Sequence, residues 1–361
     1  MLKSAFLSYK LIFHFDAGTS RGVLKEKTSW FIKIWQKDQP EIFGIGECGP
    51  LPNLSPDHEP HLADSIQNVL AKITDWSDLP GVEEIGAAVA SVVPSNLPAV
   101  TFAMETALLD LALGGKRRIT ENDFVHGKYK IPINGLIWMG NKDFMMQQIH
   151  DKLKEGYNCI KIKVGAVDLE SELEIIKSIR KKFSPDTITL RLDANGAFEP
   201  GEAISILERF SYYGIHSIEQ PILAGQRRAM QTLCRESPIP VALDEELIGI
   251  TGLEQQEALL DDIQPQYIII KPTLVGGLSA SGQWINLAEK NDIGWWITSA
   301  LESNIGLNAI AQYTAGYRTN MHQGLGTGQL YHNNIGSPLY IKEGYLGYNL
   351  ARDWNLSMLV F

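Results

Sequence analysis

Short apolar runs alternate with amphipathic segments through the second part of the chain. The runs have the length of buried strands, and the segments between them, such as residues 142–155, have the spacing of helices. Strands separated by helices predict parallel strands joined by crossovers, and eight units in ~200 residues favour a closed (β/α) barrel. The runs are residues 131–138, 159–164, 187–193, 215–219, 241–244, 267–271, 294–299 and a weaker one near 321–325.

The first part of the chain groups its strands before its helices. This order favours a small α+β domain rather than further barrel units. The strand-like segments are residues 7–15, 29–36 and 42–47, and the helical ones are residues 59–73 and 99–113. We therefore expect residues 126–326 to form the barrel and residues 1–125 to form a second domain, completed by residues 327–361.

A doubly wound open sheet is the competing α/β architecture. Its dinucleotide-binding form carries a Gly-x-Gly-x-x-Gly motif after the first strand, and the chain has no such motif there. The count of eight strand-like runs therefore favours the barrel.

Composition and charge exclude several classes of protein. The 361 residues include 42 acidic and 32 basic side chains, whereas a nucleic-acid-binding protein needs a basic face. Three widely spaced cysteines indicate neither a disulfide framework nor a zinc site, and we expect reduced thiols in a cytoplasmic protein. No apolar run fits a signal peptide or a membrane span. The sequence does not decide between a monomer and a homo-oligomer.

The predicted barrel places five charged strand ends side by side. Catalytic groups of such barrels lie at the carboxyl ends of the strands. A single acid at that place is more often a helix N-cap, but here three acids recur at intervals of about one βα unit, which brings them together. From the second to the sixth strand, the charged ends are Lys161 and Lys163, Asp193, Glu219, Asp244, and Lys271.

Three converging carboxylates need a cation. Held close together, they would repel one another and raise one another's pKa. Oxygen ligands with no cysteine or histidine nearby suit Mg²⁺ rather than Zn²⁺, and Mn²⁺ is expected to substitute. Asp193, Glu219 and Asp244 are therefore the predicted ligands, with water or substrate oxygens completing the coordination.

The lysines on both sides of the carboxylates suit a proton abstraction. Lys161 lies beside Lys163 on one strand, and a second ammonium group lowers a lysine pKa toward that of a usable base. A divalent cation that binds a substrate carboxylate stabilises the charge left when the neighbouring proton is removed. The set therefore predicts an enzyme that removes a proton next to a carboxylate of a small molecule.

Taken together, these residues resemble those of the enolase superfamily, and of its muconate-lactonizing subgroup in particular. The resemblance covers nearly the whole chain and implies a modified (β/α)7β TIM-type barrel under an N-terminal α+β capping domain. It also implies lysine bases acting with Mg²⁺, a chemistry already established for this superfamily. The motifs are Lys161-x-Lys163, Asp193-Ala194-Asn195, Glu219-Gln220-Pro221, Asp244-Glu245 and Lys271.

Within the superfamily, the chain is most similar to the o-succinylbenzoate synthase family, the dehydratases of menaquinone biosynthesis. Residues 19–22 resemble its first mobile capping loop and residues 46–52 its second. Ser299-Ala300-Leu301-Glu302-Ser303 resembles its seventh-strand motif, with Ala300 in place of the commoner serine. The substrate contacts that this resemblance implies are Thr19, Ser20, Arg21, Ser299 and Glu302.

The resemblance assigns different roles to the lysines. Lys163 would take the α-proton of the cyclohexadiene substrate and return it to the departing hydroxyl group. Lys271, on the opposite face, would stabilise the charge that develops on the ring. The supporting residues are expected to be Lys161, Arg191, Asn195 and Glu245.

The same residues also allow other functions. N-acylamino-acid racemisation needs a base on each face, which Lys163 and Lys271 provide, and a cycloisomerase would use the same scaffold. A dipeptide epimerase is less favoured, because residues 321–324 offer no acid to hold an ammonium group. A metal-free Schiff-base lyase would leave the carboxylates without a role. A non-catalytic binding protein would not be expected to retain all five charged strand ends.

Overall fold

Three antiparallel strands open the chain in a computed structural model that describes residues 1–19, 22–74, 76–165 and 168–361. The strands, here called the cap sheet, are β1 (Leu2–Thr19), β2 (Gly22–Gln36) and β3 (Gln39–Cys48), with β2 in the middle. Both faces of β2 carry apolar residues because both are covered. Ile32 packs toward helices on one face, and Phe31 packs toward Leu359 from the end of the chain on the other.

Three helices cover one face of the cap sheet. They are α1 (Leu62–Ile73), α2 (Ile85–Val92) and α3 (Pro98–Ala112). Helix α3 lies directly on β3 because Gly44 and Gly46 have no side chains. A Cβ atom at these positions would lie 1.8 Å from the carbonyl oxygen of Ala107 and 1.9 Å from that of Ala103. The sequence predicted α1 and α3 but missed α2, whose eight residues are too few to show a helical period.

After the two-residue strand β4 (Ile131–Pro132), seven parallel strands of the described chain lie side by side in chain order. Helices separate each strand from the next. The strands are β5 (Gly135–Ile137), β6 (Cys159–Lys163), β7 (Thr189–Asp193), β8 (Ser217–Glu219), β9 (Val241–Leu243), β10 (Tyr267–Ile270) and β11 (Gly294–Ile297). The helices are α4 (Lys142–Lys154), α5 (Leu169–Arg180), α6 (Pro200–Ser211), α7 (Arg227–Glu236), α8 (Leu253–Ile263), α9 (Pro272–Val275), α10 (Gly277–Lys290) and α11 (Asn304–Ala315).

The sheet closes into a barrel through two single bridges instead of a full eighth strand. Gln323 bridges Ile133, and Gly324 bridges Thr298, in parallel in both cases. Because each residue pairs with a different edge of the seven-stranded sheet, no ladder forms. The predicted (β/α)7β architecture is thus confirmed, and the weak eighth run is shorter than expected.

The residues after the barrel return to both parts of the molecule. Strands β12 (Leu339–Lys342) and β13 (Tyr345–Tyr348) form a small antiparallel sheet with β4. This pairing divides the first predicted run between two sheets. Ile131 and Pro132 pair with β13, whereas Gly135–Ile137 pairs with β6 of the barrel. Farther upstream, Tyr331 bridges Phe13 of β1.

No described helix combines the length and the apolar character needed to cross a bilayer. Helix α3 is mostly apolar, and its two acids make internal contacts. Asp110 pairs with Arg117 at 2.8 Å, and Glu105 accepts a hydrogen bond from the N–H of Leu278 at the start of α10. The acids of α3 therefore tie this helix to neighbouring segments.

Candidate active site

The carboxyl ends of β6 to β10 carry the predicted charged residues on one rim of the barrel. Lys163, Asp193 and Glu219 lie opposite one another in the register of β6, β7 and β8. Asp244 directly follows β9, and Lys271 directly follows β10. Parallel strands all end at the same edge, so residues far apart in sequence meet here.

Each predicted carboxylate ligand is bound to a lysine. The Nζ atom of Lys161 lies 2.8 Å from Oδ2 of Asp193 and 2.8 Å from Oε2 of Glu219, so one ammonium group bridges two acids. The Nζ atom of Lys163 lies 2.7 Å from the same Oδ2 of Asp193. Lys271 pairs with Asp244. The rim is therefore a buried set of opposite charges that satisfy one another.

These contacts shift the pKa values of the rim residues. Burial alone would raise the pKa of Asp193, but Lys161 and Lys163 hold it well below its usual range. Burial and repulsion from Asp193 raise the pKa of Glu219. Burial lowers the pKa of Lys161 and of Lys271, but the carboxylates outweigh it and hold both pKa values above the usual range. The sequence predicted a lowered lysine pKa, and such a lowering requires that the carboxylates no longer pair with the lysine.

Asp193, Glu219 and Asp244 offer the oxygen donors that Mg²⁺ prefers. Across the described ranges, no three His, Cys, Asp or Glu side chains are grouped so as to hold a metal ion as they stand. The carboxylate oxygens point to lysine ammonium groups instead, and the ammonium group of Lys161 lies between Asp193 and Glu219. The donor chemistry fits Mg²⁺, provided that the ammonium groups turn aside.

Asn195 connects Lys163 to Glu245. Its Oδ1 accepts a hydrogen bond from Nζ of Lys163, and its Nδ2 donates one to Oε1 of Glu245 at 3.0 Å. Its backbone N–H donates to Oδ1 of Asp193 at 3.1 Å, and its φ of 44° lies in the uncommon left-handed region. Asn195 therefore contacts the lysine and two acids of the rim, and its supporting role stays a prediction.

Gln220 has a comparable place after β8, and the sequence assigned it no role. Its Oε1 accepts the N–H of Asp244 at 3.1 Å, and its Nε2 donates to Glu246 at 3.2 Å. Its φ is 39°. This backbone conformation turns the side chain toward the next strand end, and no pattern of apolar and polar residues reveals it.

A cavity of about 440 Å³ lies between the rim and the loops of the cap. Lys161, Lys163 and Lys271 line it from the barrel, together with Asn195. Leu51 and other residues of the segment after β3 line it from the cap. Among the described residues of its wall there is no aspartate or glutamate. The cavity is therefore cationic and partly apolar.

The predicted substrate contacts fall in three different places. Ser299 lines the cavity, and its hydroxyl group lies 2.6 Å from that of Thr327. Glu302 is fully buried behind the wall and is not part of the described lining. Thr19 ends β1, and Ser20 and Arg21 lie outside the described residues.

Arg191 lies deeper in the barrel than the rim. Its guanidinium group stacks on Trp296 at 3.9 Å and donates to the carbonyl oxygen of His322 at 2.8 Å. The sequence predicted Arg191 as a supporting residue, but these contacts do not include the carboxylate ligands. We therefore place Arg191 as a residue that packs the barrel interior below the site.

The sequence missed several residues of the cavity wall, including Asn134, Trp138 and Thr298. Trp138 and Thr298 follow β5 and β11, so the rule applied to the five charged strand ends would also have found them. In the described structure, Oδ1 of Asn134 and Oγ1 of Thr298 are buried without a hydrogen-bond partner. Buried polar atoms usually have a partner, so these two atoms of the wall are exceptions to that rule.

Known proteins are similar to this chain over almost its whole length. Residues 145–349 match the family model described as "Enolase C-terminal domain-like". An o-succinylbenzoate synthase from Desulfotalea psychrophila is 47% identical over 365 residues, which covers 94% of this chain and 98% of the relative.

Solved structures give the same picture. The crystal structure of MenC from Desulfotalea psychrophila has a TM-score of 0.83 and 43% identity, and the match covers 96% of this chain and 99% of the other. The L-Ala-D/L-Glu epimerase from Bacillus subtilis has a TM-score of 0.80 at 20% identity, covering 99% and 97% of the two chains. This second likeness concerns the fold alone.

Proposed function

Because the chain belongs to the enolase superfamily, we propose that it is a Mg²⁺-dependent dehydratase that forms o-succinylbenzoate. Its substrate would be 2-succinyl-6-hydroxy-2,4-cyclohexadiene-1-carboxylate, an intermediate of menaquinone biosynthesis. The Desulfotalea relative supports this reaction over others on the same scaffold, because it is 47% identical over almost the full length of both chains, whereas the epimerase from Bacillus subtilis shares the fold at 20% identity.

The observation that carries the proposal is the chemistry of the cavity wall. Three rim lysines face a cavity whose described lining includes apolar side chains such as Leu136 and Trp138, and no acid. The proposed substrate has a six-membered ring and two carboxylates, which suit such a wall. A dipeptide would bring an ammonium group into it without a carboxylate to pair with.

The charges of the rim also support a dianionic substrate. Three lysines, Lys161, Lys163 and Lys271, are paired with three acids, Asp193, Glu219 and Asp244. Mg²⁺ held by the three acids would bring two further positive charges to the rim and would stabilise the charge that develops on a substrate carboxylate. The two carboxylates of the proposed substrate would offset these two positive charges.

Lys163 is the proposed base. Its Nζ atom is held by Asp193 and Asn195, so it approaches the substrate from the β6 side of the cavity. Neutral Lys163 takes the proton from the carbon next to the ring carboxylate. The resulting ammonium group gives that proton to the hydroxyl group, which leaves as water while the ring becomes aromatic.

Lys271 is the proposed electrostatic partner on the other side. It directly follows β10, which is four strands from the β6 strand of Lys163, and it lines the same cavity. Its positive charge stabilises the electron density that builds up on the ring during proton removal. It exchanges no proton in the dehydration.

Racemisation of N-acylamino acids is the second candidate function. The observation that favours it is that Lys163 and Lys271 reach one cavity from two sides, as a two-base reaction requires. This activity would use the same cavity as the dehydration.

We also propose that residues 1–125, completed by residues 327–361, form a cap over the barrel. Residues 46–48 of the predicted second capping loop belong to β3, so the name second loop is kept here for residues 49–55. Leu51, Asn53 and Leu54 of this loop line the cavity. A cap that excludes water strengthens the electrostatic interactions of the site.

The test compares three substrates with the purified protein and Mg²⁺. We expect the highest kcat/KM for the cyclohexadiene carboxylate, a lower value for an N-succinylamino acid, and none for an Ala–Glu dipeptide. Dipeptide epimerisation with an efficiency equal to or above that of the dehydration would overturn the proposal.

A further inference from the structure

Three charged side chains are buried between the cap sheet and the seventh-strand end of the barrel. Lys27 of β2 is 2% exposed, while Glu47 of β3 and Glu302 are fully buried. None of them takes part in the proposed reaction, and the sequence did not predict Lys27 or Glu47 as site residues. A buried charge is costly unless its partners fix it in place, so this group needs an explanation.

Glu47 binds the start of barrel helix α11 from the cap side. Its Oε1 accepts the N–H of Ser303 at 2.9 Å, and its Oε2 accepts the hydroxyl of Ser303 at 2.5 Å and the N–H of Gly306 at 3.0 Å. A carboxylate at a helix N-terminus is stabilised by the free N–H groups there. Ser29 joins it to Lys27, with hydrogen bonds of 2.8 Å and 3.3 Å.

Glu302 binds the cavity wall from behind. Its Oε2 accepts the N–H of Ala300 at 2.8 Å, and its Oε1 accepts the hydroxyl of Thr273 at 2.6 Å. Ala300 lines the cavity, and Thr273 is two residues after Lys271. One carboxylate therefore links the 299–301 wall to the segment that begins at Lys271.

The two acids and the lysine form one group. A Cβ atom on Gly306 would lie 2.7 Å from Cβ of Glu302 and 3.0 Å from Oε2 of Glu47, so both acids meet at the same turn. Burial raises the pKa of Glu302, and the charge of Lys27 is the largest influence that lowers it. The charge of Lys27 therefore acts on Glu302, and Ser29 links Lys27 to Glu47 by hydrogen bonds.

The group also touches the stem of the second loop. A Cβ atom on Gly49, the first residue of that loop, would lie 2.5 Å from Nζ of Lys27 and 3.3 Å from Oε1 of Glu47. A side chain at residue 49 would displace the ammonium group of Lys27, so the glycine leaves room for this group beside the loop. One buried group thus contacts both the loop stem and the wall on which a substrate rests.

We propose that Lys27, Glu47 and Glu302 form a buried positioning cluster that sets the substrate-binding geometry of the cavity. It holds the 299–301 wall and the second-loop stem relative to Lys271, and none of the three touches the substrate. This inference rests on the proposed function for its kinetic consequence. The hydrogen bonds of the cluster include neither Lys163 nor Lys271, which are held by Asp193 and Asp244, so its loss acts on KM rather than on kcat.

The kinetic test uses Glu302→Gln, with Glu105→Gln as the matched control. Glu105 is another buried acid that links the cap to a barrel helix, but its partner Leu278 is not part of the described cavity wall. We expect Glu302→Gln to raise KM for the cyclohexadiene carboxylate about tenfold or more, with kcat within about threefold, and Glu105→Gln to change neither. An unchanged KM in Glu302→Gln would overturn the inference, and so would an equal rise of KM in the control.

Two further variants guard against a folding defect. Thr273→Val removes the hydroxyl donor to Glu302 at nearly constant volume, and we expect a smaller rise of KM in the same direction. In the double variant Lys27→Met/Glu302→Gln, the rise of KM should be less than the product of the single effects, because both changes act on one charge group. Multiplicative effects would show that the residues act separately.

Hydrogen–deuterium exchange separates this inference from the proposed function. The N–H of Ala300 should exchange faster in Glu302→Gln than in the wild type, and no faster in Glu105→Gln. If the wild type did not dehydrate the cyclohexadiene substrate, the proposed function would fail while this measurement still tested the cluster. Unchanged exchange at residues 299–306 in Glu302→Gln would contradict the cluster itself.

Discussion

Replacement of Glu105 by glutamine should change how the stability of the protein depends on pH. Glu105 is 2% exposed on α3, and its carboxylate accepts the N–H of Leu278 at the start of α10. Burial raises its pKa from 4.5 to about 7, although hydrogen bonds from Ser279 and Leu278 oppose the shift. A glutamine of the same shape keeps an acceptor for Leu278 but cannot ionise.

The sign of the effect follows from the two protonation states. Between the unfolded and the folded pKa of Glu105, the folded protein binds more protons, so its stability falls as pH rises through that window. The rise of the pKa from 4.5 to about 7 corresponds to a loss of roughly 3 kcal/mol in the free energy of unfolding once the pH has passed both pKa values. Glu105→Gln has no carboxyl group at this position, so it does not lose this stability. As the pH rises from 5 to 8, the free energy of unfolding of the variant should therefore increase by about 2–3 kcal/mol relative to that of the wild type.

Urea unfolding followed by tryptophan fluorescence at pH 5 and pH 8 measures this difference. Asp57 and Asp110 also have raised pKa values in the cap, about 7 and about 6, but they are common to both proteins and cancel in the comparison. The difference in unfolding free energy between variant and wild type should therefore vary with pH. A difference that stays constant from pH 5 to pH 8 would refute the reasoning, because Glu105 would then not titrate in that range.

Further predictions concern the site and its cap. Lys163→Arg should lower the dehydration rate ~10²–10⁴-fold, and Lys271→Arg should retain more activity, because only Lys163 transfers the proton; equal losses would contradict a one-base reaction. Asp193→Asn should abolish Mn²⁺ binding measured by electron paramagnetic resonance, whereas Asp168→Asn, at an exposed helix N-cap, should not; retained binding in the first variant would contradict the ligand assignment. Bound o-succinylbenzoate should slow hydrogen exchange in residues 49–55, and unchanged exchange there would contradict a closing loop.

The sequence predicted the rim residues well because their positions depend on topology alone. Once strands alternate with helices, their carboxyl ends must share one edge, which places Lys163, Asp193 and Glu219 together whatever their exact packing. It predicted less well how these residues pair. The bridging of Asp193 and Glu219 by Lys161 depends on side-chain directions inside a closed barrel, which a linear pattern does not contain.

The place of Glu302 shows a second limit. A likeness of sequence motifs suggested a substrate contact, but Leu301 has a φ of 63°, and the chain turns so that Glu302 points behind the wall. The eighth strand shows a third limit. Gln323 and Gly324 close the barrel by one bridge to each edge, and such an element is too short to produce an alternating pattern.

Dehydration of 2-succinyl-6-hydroxy-2,4-cyclohexadiene-1-carboxylate, with and without a divalent cation, tests the central claim most directly. The purified protein is treated with excess chelator, the formation of o-succinylbenzoate is measured, and Mg²⁺ or Mn²⁺ is then added in excess. We predict no turnover in chelator and restored turnover with either cation, since three carboxylates of the rim provide the oxygen ligands that both ions accept. Full turnover in excess chelator, or none after either cation is restored, would contradict the account.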